Sequence, residues 1–514
     1  FAANDIAIST LSDSVQVFVS FGASGSASGS AGGATIAVSV FERESKINIG
    51  NYFIARATAG NIDISAIARD VTVLVAFAAA ASASGNALSG TIPVVYAEST
   101  AGVILGNYAD LRAGGTIAVS GHLEDTVVDA AGGLVLSNGV GIGATSSTAR
   151  CNNSIYAEIG KNATLYASGL NAGVSTPNRA LRRGVIVSAT SSATMVMASI
   201  AAAASAGGFA LSGVINTLAA KNSVHAKIDE NAKISAGYAL DGAGEPTSTV
   251  VSAESDVIVE ADDDTHIVNC AGALALSGGS AGVGATIVSI LFFKSVTAEI
   301  LSATTIKSAR DINVTANSRD NLWLLAIAFG GGSNTGVAGD VNMLIFFSTT
   351  TAKLGGTSIT AGNEIHVLSS SDSLLINVGA GVAVGGTAGV VAVAIVTFFY
   401  NQTYAIVAGG NLTAHGDINV KATSKEFATA DGAGVGAGGT VGVGGTFDII
   451  VTKVVTRAYT QNGVHLTSTN GNITIAAKDD YDLLAIIVTL AGGGTVGVGV
   501  SFLVSVSFND VSAE

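Results

Sequence analysis

DIAIS, at Asp5–Ser9, decides how this chain is read, because the same short alternating segment returns eight more times along 514 residues. It comes back as NIDIS (Asn61–Ser65), TIAVS (Thr116–Ser120), GVIVS (Gly184–Ser188), DVIVE (Asp256–Glu260), DINVT (Asp311–Thr315), EIHVL (Glu364–Leu368), DINVK (Asp417–Lys421) and NITIA (Asn472–Ala476). The starts at 5, 61, 116, 184, 256, 311, 364, 417 and 472 lie 56, 55, 68, 72, 55, 53, 53 and 55 residues apart. A period near 55 with two longer units means one continuous repeat array over 1–514 and not a string of unlike domains. The extra residues fall at NAGVSTPNRALRRG (Asn171–Gly184) and GYALDGAGEPTSTV (Gly237–Val250), loop-like stretches that hold two of the three prolines. Both ends of the chain fall inside the repeat pattern, so it reads as a window cut from a longer protein.

Working outward from the segment, each unit continues in the same order. A longer apolar strand follows, such as VTVLVAFAAAASA (Val71–Ala83), then a tip of Gly, Ala and Ser, then a return strand such as GATIVSILFF (Gly284–Phe293). Two short strands close the unit, of the kinds YAEI (Tyr156–Ile159) and ATLYASG (Ala163–Gly169). Period-two alternation, β-branched residues and Gly punctuation specify strands and almost no helix. The 22 uncharged residues Gly379–Tyr400 mimic a membrane helix, but the same place in the first unit reads GASGSASGSAGGATIAVSVFERE (Gly22–Glu44), too polar and glycine-broken to span. No transmembrane helix is expected.

Strands this short in units this small bury their apolar residues only by stacking on copies of themselves at about 4.8 Å. The expectation is an all-β β-solenoid, parallel β-helix-like, of about nine tandem repeats. One coil per unit is preferred over two and gives a rise of roughly 43 Å. Two long strands would form a flat arm of facing sheets and three short strands a triangular lobe. Ala and Gly at AAAASASG (Ala78–Gly85) and AAAASAGG (Ala201–Gly208) would let the sheets close where the arm narrows.

Two sets of like residues support stacking. An acid follows the first strand at Asp13, Asp70, Asp125, Asp264, Asp320, Asp372, Glu426 and Asp480, often with a basic neighbour such as Arg69, Arg319 or Lys425. Such a ladder reads either as a calcium-binding edge or as a solvated corner that blocks misregistered stacking. The pairs Phe292-Phe293, Phe346-Phe347 and Phe398-Phe399 recur 54 and 52 residues apart. Neighbouring strand residues point to opposite faces, so one ring of each pair should face the core and the other outward, as a self-association column. The return strands of the C-terminal half, such as VVAVAIVTFF (Val390–Phe399), are apolar on both faces, as in a sheet covered on both sides. The cover is either the protein's own neighbouring sheet or another fibre.

Composition removes several function classes. A formal charge of -14 argues against nucleic-acid binding, which needs clustered Lys and Arg. The acids spread one per repeat instead of converging, so neither catalytic residues nor an enzyme is expected. The six histidines show no metal-ligand spacing and the Gly-rich tips open no helix, so no metal or cofactor is assigned. Cys151 and Cys270 stand at different places in their units and are expected to be free thiols.

The GATI-type return strand, the AEIG-type strand (Ala157–Gly160) and the DINV-type strand together resemble the repeat regions of large bacterial exoproteins, of the filamentous-haemagglutinin-like and leukotoxin-like secreted adhesins. The resemblance implies a secreted, extracellular or cell-surface stalk for adhesion or fibre building. Its partners would be copies of itself and a host or neighbouring-cell surface. A membrane-active, pore-forming segment is the runner-up and a polysaccharide-active β-helix enzyme the third reading.

Overall fold

In-register parallel pairing carries the residues 6, 62 and 117 onto one another: Ile6 pairs with Ile62, and Ile62 with Ile117, one repeat up and one repeat down. Each repeat is therefore one coil, and the chain is an all-β solenoid. The computed structural model describes every residue except 1, 3, 172, 177 and 178, so Ala172, Pro177 and Asn178 of the first insertion lie outside the described residues.

A coil consists of an outgoing strand such as Ile62–Ser82, a return strand such as Ala87–Leu105 and a short strand such as Asp110–Ala113. The outgoing strands of all nine coils pair in chain order in one sheet, and the return strands do the same in a second. At about 3.3 Å per residue the part of an outgoing strand beyond the lobe, such as Asp70–Ser82, spans roughly 43 Å, about the height of the stack, and with two facing sheets the arm is a flat blade. Among the described residues no helix is long and apolar enough to cross a membrane, and the span Gly379–Tyr400 is divided between the strands Ile365–Gly385 and Ala388–Val407.

Three separate short strands were expected in each lobe, and the structure has fewer. The DIAIS-type segment is the first third of the outgoing strand, and the AEI-type segment is the end of the return strand. Nothing in SAIARDV (Ser65–Val71) interrupts the ladder, so the sheet turns the corner without breaking its hydrogen bonds. In the fifth and sixth coils the return strand runs on through the short strand as well, over Ala281–Ser308 and Thr335–Ala361.

Alternation then sorts the side chains. Ile62, Ile64 and Ala66 meet Val103, Leu105, Leu111 and Ala113 in a three-sided lobe core that continues through the stack. Beyond it, Leu74, Val95, Ala97, Val127 and their equivalents fill the space between the two sheets of the arm. At the tip only small residues remain, Ala31, Ala80, Ala87, Ala203, Ala210 and Ala275 among them, so the sheets close as the small residues required.

The corners explain the recurring Asp and Asn. The Asp5 carboxylate accepts the backbone N–H of Asn61 at 2.6 Å, and the Asn61 side-chain oxygen accepts that of Thr116 at 2.8 Å. Asp311 to Glu364 and Asp417 to Asn472 repeat the contact at 3.0 and 2.7 Å. Asp5, Asn61, Asp256, Asp311 and Asp417 thus each carry an acceptor for the next coil's corner N–H, which the turn leaves outside the sheet ladder, whereas Gly184 has no side chain to do so. At the corner before the short strand, Tyr52, Tyr108, Asn162 and Asn231 take left-handed φ between 58° and 61°, and Gly409 and Gly463 hold that place in coils seven and eight.

Both insertions settle on the lobe. The second forms a hairpin, Tyr238–Leu240 with Pro246–Val250, whose Ala243 carbonyl and Glu245 carboxylate accept from Arg112 at 2.9 and 3.1 Å. Around Val174 the first covers Ala118, Ile186 and Ile258, which point outward from the sheet yet are buried. Cys151 is a buried free thiol on the inner side of a return strand, while the free thiol Cys270 points outward from an outgoing strand and is half-buried.

Asn61→Ala should cost about 0.5–1.5 kcal/mol, because the Thr116 N–H loses its acceptor, whereas Asn61→Asp should retain the bond. Denaturant unfolding of the two variants against the parent chain checks this.

Candidate self-association surface on the arm

Lobe and arm meet at a neck, and the acids of the supposed ladder sit there in two columns instead of one. Asp70, Asp125, Asp320 and Glu426 point inward and are 1–2 % exposed, in a column whose other members include Ser14, Ala193, Thr265, Ser373 and Tyr481. Asp13, Asp264, Asp372 and Asp480 stand one residue earlier and point outward, interleaved with Arg69, Glu124, Arg319 and Lys425. A one-residue offset in a strand is a change of face, so the eight acids never stack as a row. The outward four alternate with cations, and of the inward four Asp70, Asp320 and Glu426 have partners of their own while both Asp125 oxygens are buried without one, so no ring of oxygens forms of the kind calcium takes. Among the described residues no group of three or more His, Cys, Asp or Glu is placed to hold a metal.

The inward acids belong to a buried polar seam. Arg43 donates to Asp70 at 2.8 Å with both side chains buried. Lys294, wholly buried, lies 2.5 Å from Asp263 and 2.9 Å from Asp320. Between these, Asn222 donates to Thr265 at 2.8 Å; further along, Asn401 donates to Ser371 at 2.9 Å and to Glu426 at 2.6 Å. Burial pushes the Asp125 carboxyl up to about 7, opposed by the Asn153 carboxamide. Glu426 is pushed up to about 9 by burial, with Asp479 adding and Asn401 opposing.

Within the arm three more carboxyls are raised by burial. Asp129 rises to about 6 although Ser147 donates to it at 2.6 Å, and Asp340 to about 7 although Thr286 donates at 2.5 Å. Asp448 rises to about 7, with the charge of Asp431 adding to burial.

The aromatic pairs divide as alternation requires, but not in one line. Phe292, Phe346 and Phe399 are buried in the arm core, the last two stacked at 5.2 Å between centroids. Outward, Phe293 stacks on Phe347 at 5.4 Å, and Tyr400, not Phe398, continues that column at 6.0 Å. The register between these coils is 53, pairing Phe346 with Phe399, whereas the pairs themselves are 52 apart. Phe398 is therefore displaced into the neighbouring outward column, below Leu291 and Ile345 and above Val451.

These rings belong to a wider apolar face. On the outside of the return sheet, coils five to nine present Ile287, Leu291 and Phe293, then Val341, Met343, Ile345 and Phe347, and so on to Phe502, Val504, Val506 and Phe508. In that block Lys453 is the one charged side chain. The same columns in coils two to four carry Glu98, Arg150 and Lys221. The protein's own second sheet lies on the inner side, so it does not cover this face.

A pocket of about 540 Å³ on the outer side of the neck is lined by His122, Asp262, Asp264, Asn317, Arg319 and Asp372. Two of its acids are engaged: Asn317 donates to Asp262 at 2.6 Å and Arg319 lies 3.6 Å from Asp264. No protein-family model, no characterised protein and no solved structure matches the chain.

Two outcomes follow from this geometry. The five raised carboxyls hold protons in the folded chain that the unfolded chain releases near its ordinary carboxylate range. Their contribution is thus full below about pH 4 and is lost as pH rises through about 6 to 9. The thermal midpoint should fall from pH 5 to pH 9, and Glu426→Gln should flatten the part above pH 7. Second, Phe346→Ala should cost about 3–5 kcal/mol as a core deletion. Phe347→Ser, outward, should leave hydrogen-exchange protection of the arm unchanged and reduce association.

Proposed function

We propose that this chain is a segment of an extracellular fibre, structural or adhesive, that works through its shape and associates with copies of itself along the arm, without catalysis. The observation that carries the reading is the outer face of the return sheet in coils five to nine. Exposed Phe293, Phe347, Phe398, Phe447, Phe502 and Phe508 stand there among mainly aliphatic residues, with Lys453 the one charge, in a chain whose formal charge is -14. A face this apolar on a soluble body is a contact surface. The one-coil-per-repeat stack supplies the fibre axis, and the resemblance to secreted bacterial adhesins supplies the setting, at a host or neighbouring-cell surface.

The rival pore-forming reading would bring the same apolar face to lipid. Against it, the arm interior is packed with Phe292, Phe346 and Phe399 and offers no polar lumen, which membrane strands of a pore enclose. Negative-stain microscopy of the chain, alone and with liposomes, separates them. Uniform filaments or lateral bundles are expected; rings embedded in liposomes would overturn the fibre in favour of the pore.

A further inference from the structure

The opposite side of the blade is apolar too, and over a greater height. Five outward columns of the outgoing sheet can be followed through all nine coils, beginning at Val17, Val19, Phe21, Ala23 and Gly25 and ending at Leu484, Ile486, Val488, Leu490 and Gly492. Of the 45 positions in these columns, Asp431 is the one charged residue and Thr429 the one other polar residue. Asp431 accepts the backbone N–H of Ile486 at 3.1 Å, so its charge is held against its own sheet. Trp323, Ile327 and Leu276 in the middle of the face are 43–46 % exposed.

We propose that this outgoing-sheet face is a second association surface that takes another copy of this chain, so that each blade has a neighbour on both sides and assembly is open-ended. The inference rests on the self-association reading above and extends it from a pair to a growing stack. Two arguments select a second copy as occupant. Outward residues recur about every 6.8 Å along a strand and every 4.8 Å up the stack, so the face covers roughly 1,400 Å². That exceeds both the ~300–600 Å² patches of monomers and the ~800 Å² per partner of a stable complex. Further, its columns repeat at every coil for nine coils, and only a partner with the same axial rise meets like side chains at every height. Another arm of this solenoid has that rise. Because the two faces lie on opposite sides of one blade, occupying one leaves the other open, and no closed pair satisfies both.

Sedimentation velocity of the 514-residue chain tests this, with circular dichroism as the folding control. Met343→Lys with Phe347→Lys places charge on the return face, and Leu325→Lys with Ile327→Lys on the outgoing face; threonine at the same positions replaces lysine should a variant fail to fold. The parent chain is expected to form species that grow beyond dimer with concentration, each double variant to stop at dimer, and the quadruple variant to be monomeric. Cys270 lies within the outgoing face, so maleimide should label it slowly in the return-face variant's dimer and rapidly in the outgoing-face variant's dimer. A parent chain that stops at dimer, or an outgoing-face variant that still grows, overturns the second surface while leaving self-association standing. A monomeric parent chain overturns self-association itself. Flotation of a monomeric parent with phosphatidylcholine vesicles, abolished by Leu325→Lys with Ile327→Lys, would assign the face to lipid instead.

Discussion

Every feature of this molecule depends on parallel strands stacking in register at about 4.8 Å. Register converts sequence period into columns, and a column multiplies whatever residue occupies it. Where the residue is apolar the effect accumulates favourably, as in the lobe core from Ile62 to Val420. A charge multiplies unfavourably, and the neck shows how that is managed: outward acids alternate with Arg69, Arg319 and Lys425, and the inward acids, apart from the directly stacked Asp70 and Asp125, are spaced by Ala193, Thr265 and Ser373. Further along the lobe, Glu158, Lys227, Glu299 and Lys353 alternate in one outward column, so Lys227 and Glu299 each lie between opposite charges. A shift of one coil preserves the apolar columns but sets like charges together, so these charged columns specify the register that the core cannot.

The buried seam at the neck divides two kinds of core. On the lobe side three sheet faces converge on Ile, Val, Leu and Ala; on the arm side two sheets face each other over rings and small residues. Polar groups between them cost desolvation energy that Arg43–Asp70 and the Lys294 pairs only partly return. Their geometric effect is firmer. Each bond joins an outgoing strand to a return strand, so the seam sets where the sheets part to make the lobe and where they come together to make the arm.

The period, the coil boundaries and the tapering arm were legible because each is written several times in one residue type. Asp5, Asn61, Asp311 and Asp417 mark the corners, and the reason lies in one repeated hydrogen bond to the next coil. What was not legible depends on single-residue offsets between repeats. Asp264 and Asp320 both follow the first strand, but they lie eight residues after Asp256 and nine after Asp311, so Asp264 is paired with Arg319 and the column of Asp320 passes through Thr265. Phe398 looks equivalent to Phe346 but is aligned with Ile345, while Tyr400 takes the place beside Phe347 that no double-Phe pattern pointed to. Repeats of unequal length carry such slips without changing composition, and each slip turns a side chain from core to surface. The seam partners Arg43, Asn222, Lys294 and Asn401 escaped notice for a related reason. They share one return-strand column but no residue type, so no motif announces them.

An ordinary two-layer sandwich alternates apolar inside with polar outside, whereas here the outer face of the outgoing sheet is apolar through all nine coils and that of the return sheet through coils five to nine. The outward charged columns are instead gathered along the strand, at the lobe and neck, where both insertions lie. Amphipathicity has moved from across the strand to along it. A body arranged in this way has a solvated edge and an apolar blade, so contact through the blades would bury apolar surface and leave the lobes outside. The insertions then have a physical place. They stand on the lobe of the second to fifth coils, away from both blade faces, and so leave those faces clear while breaking the monotony of the solvated edge.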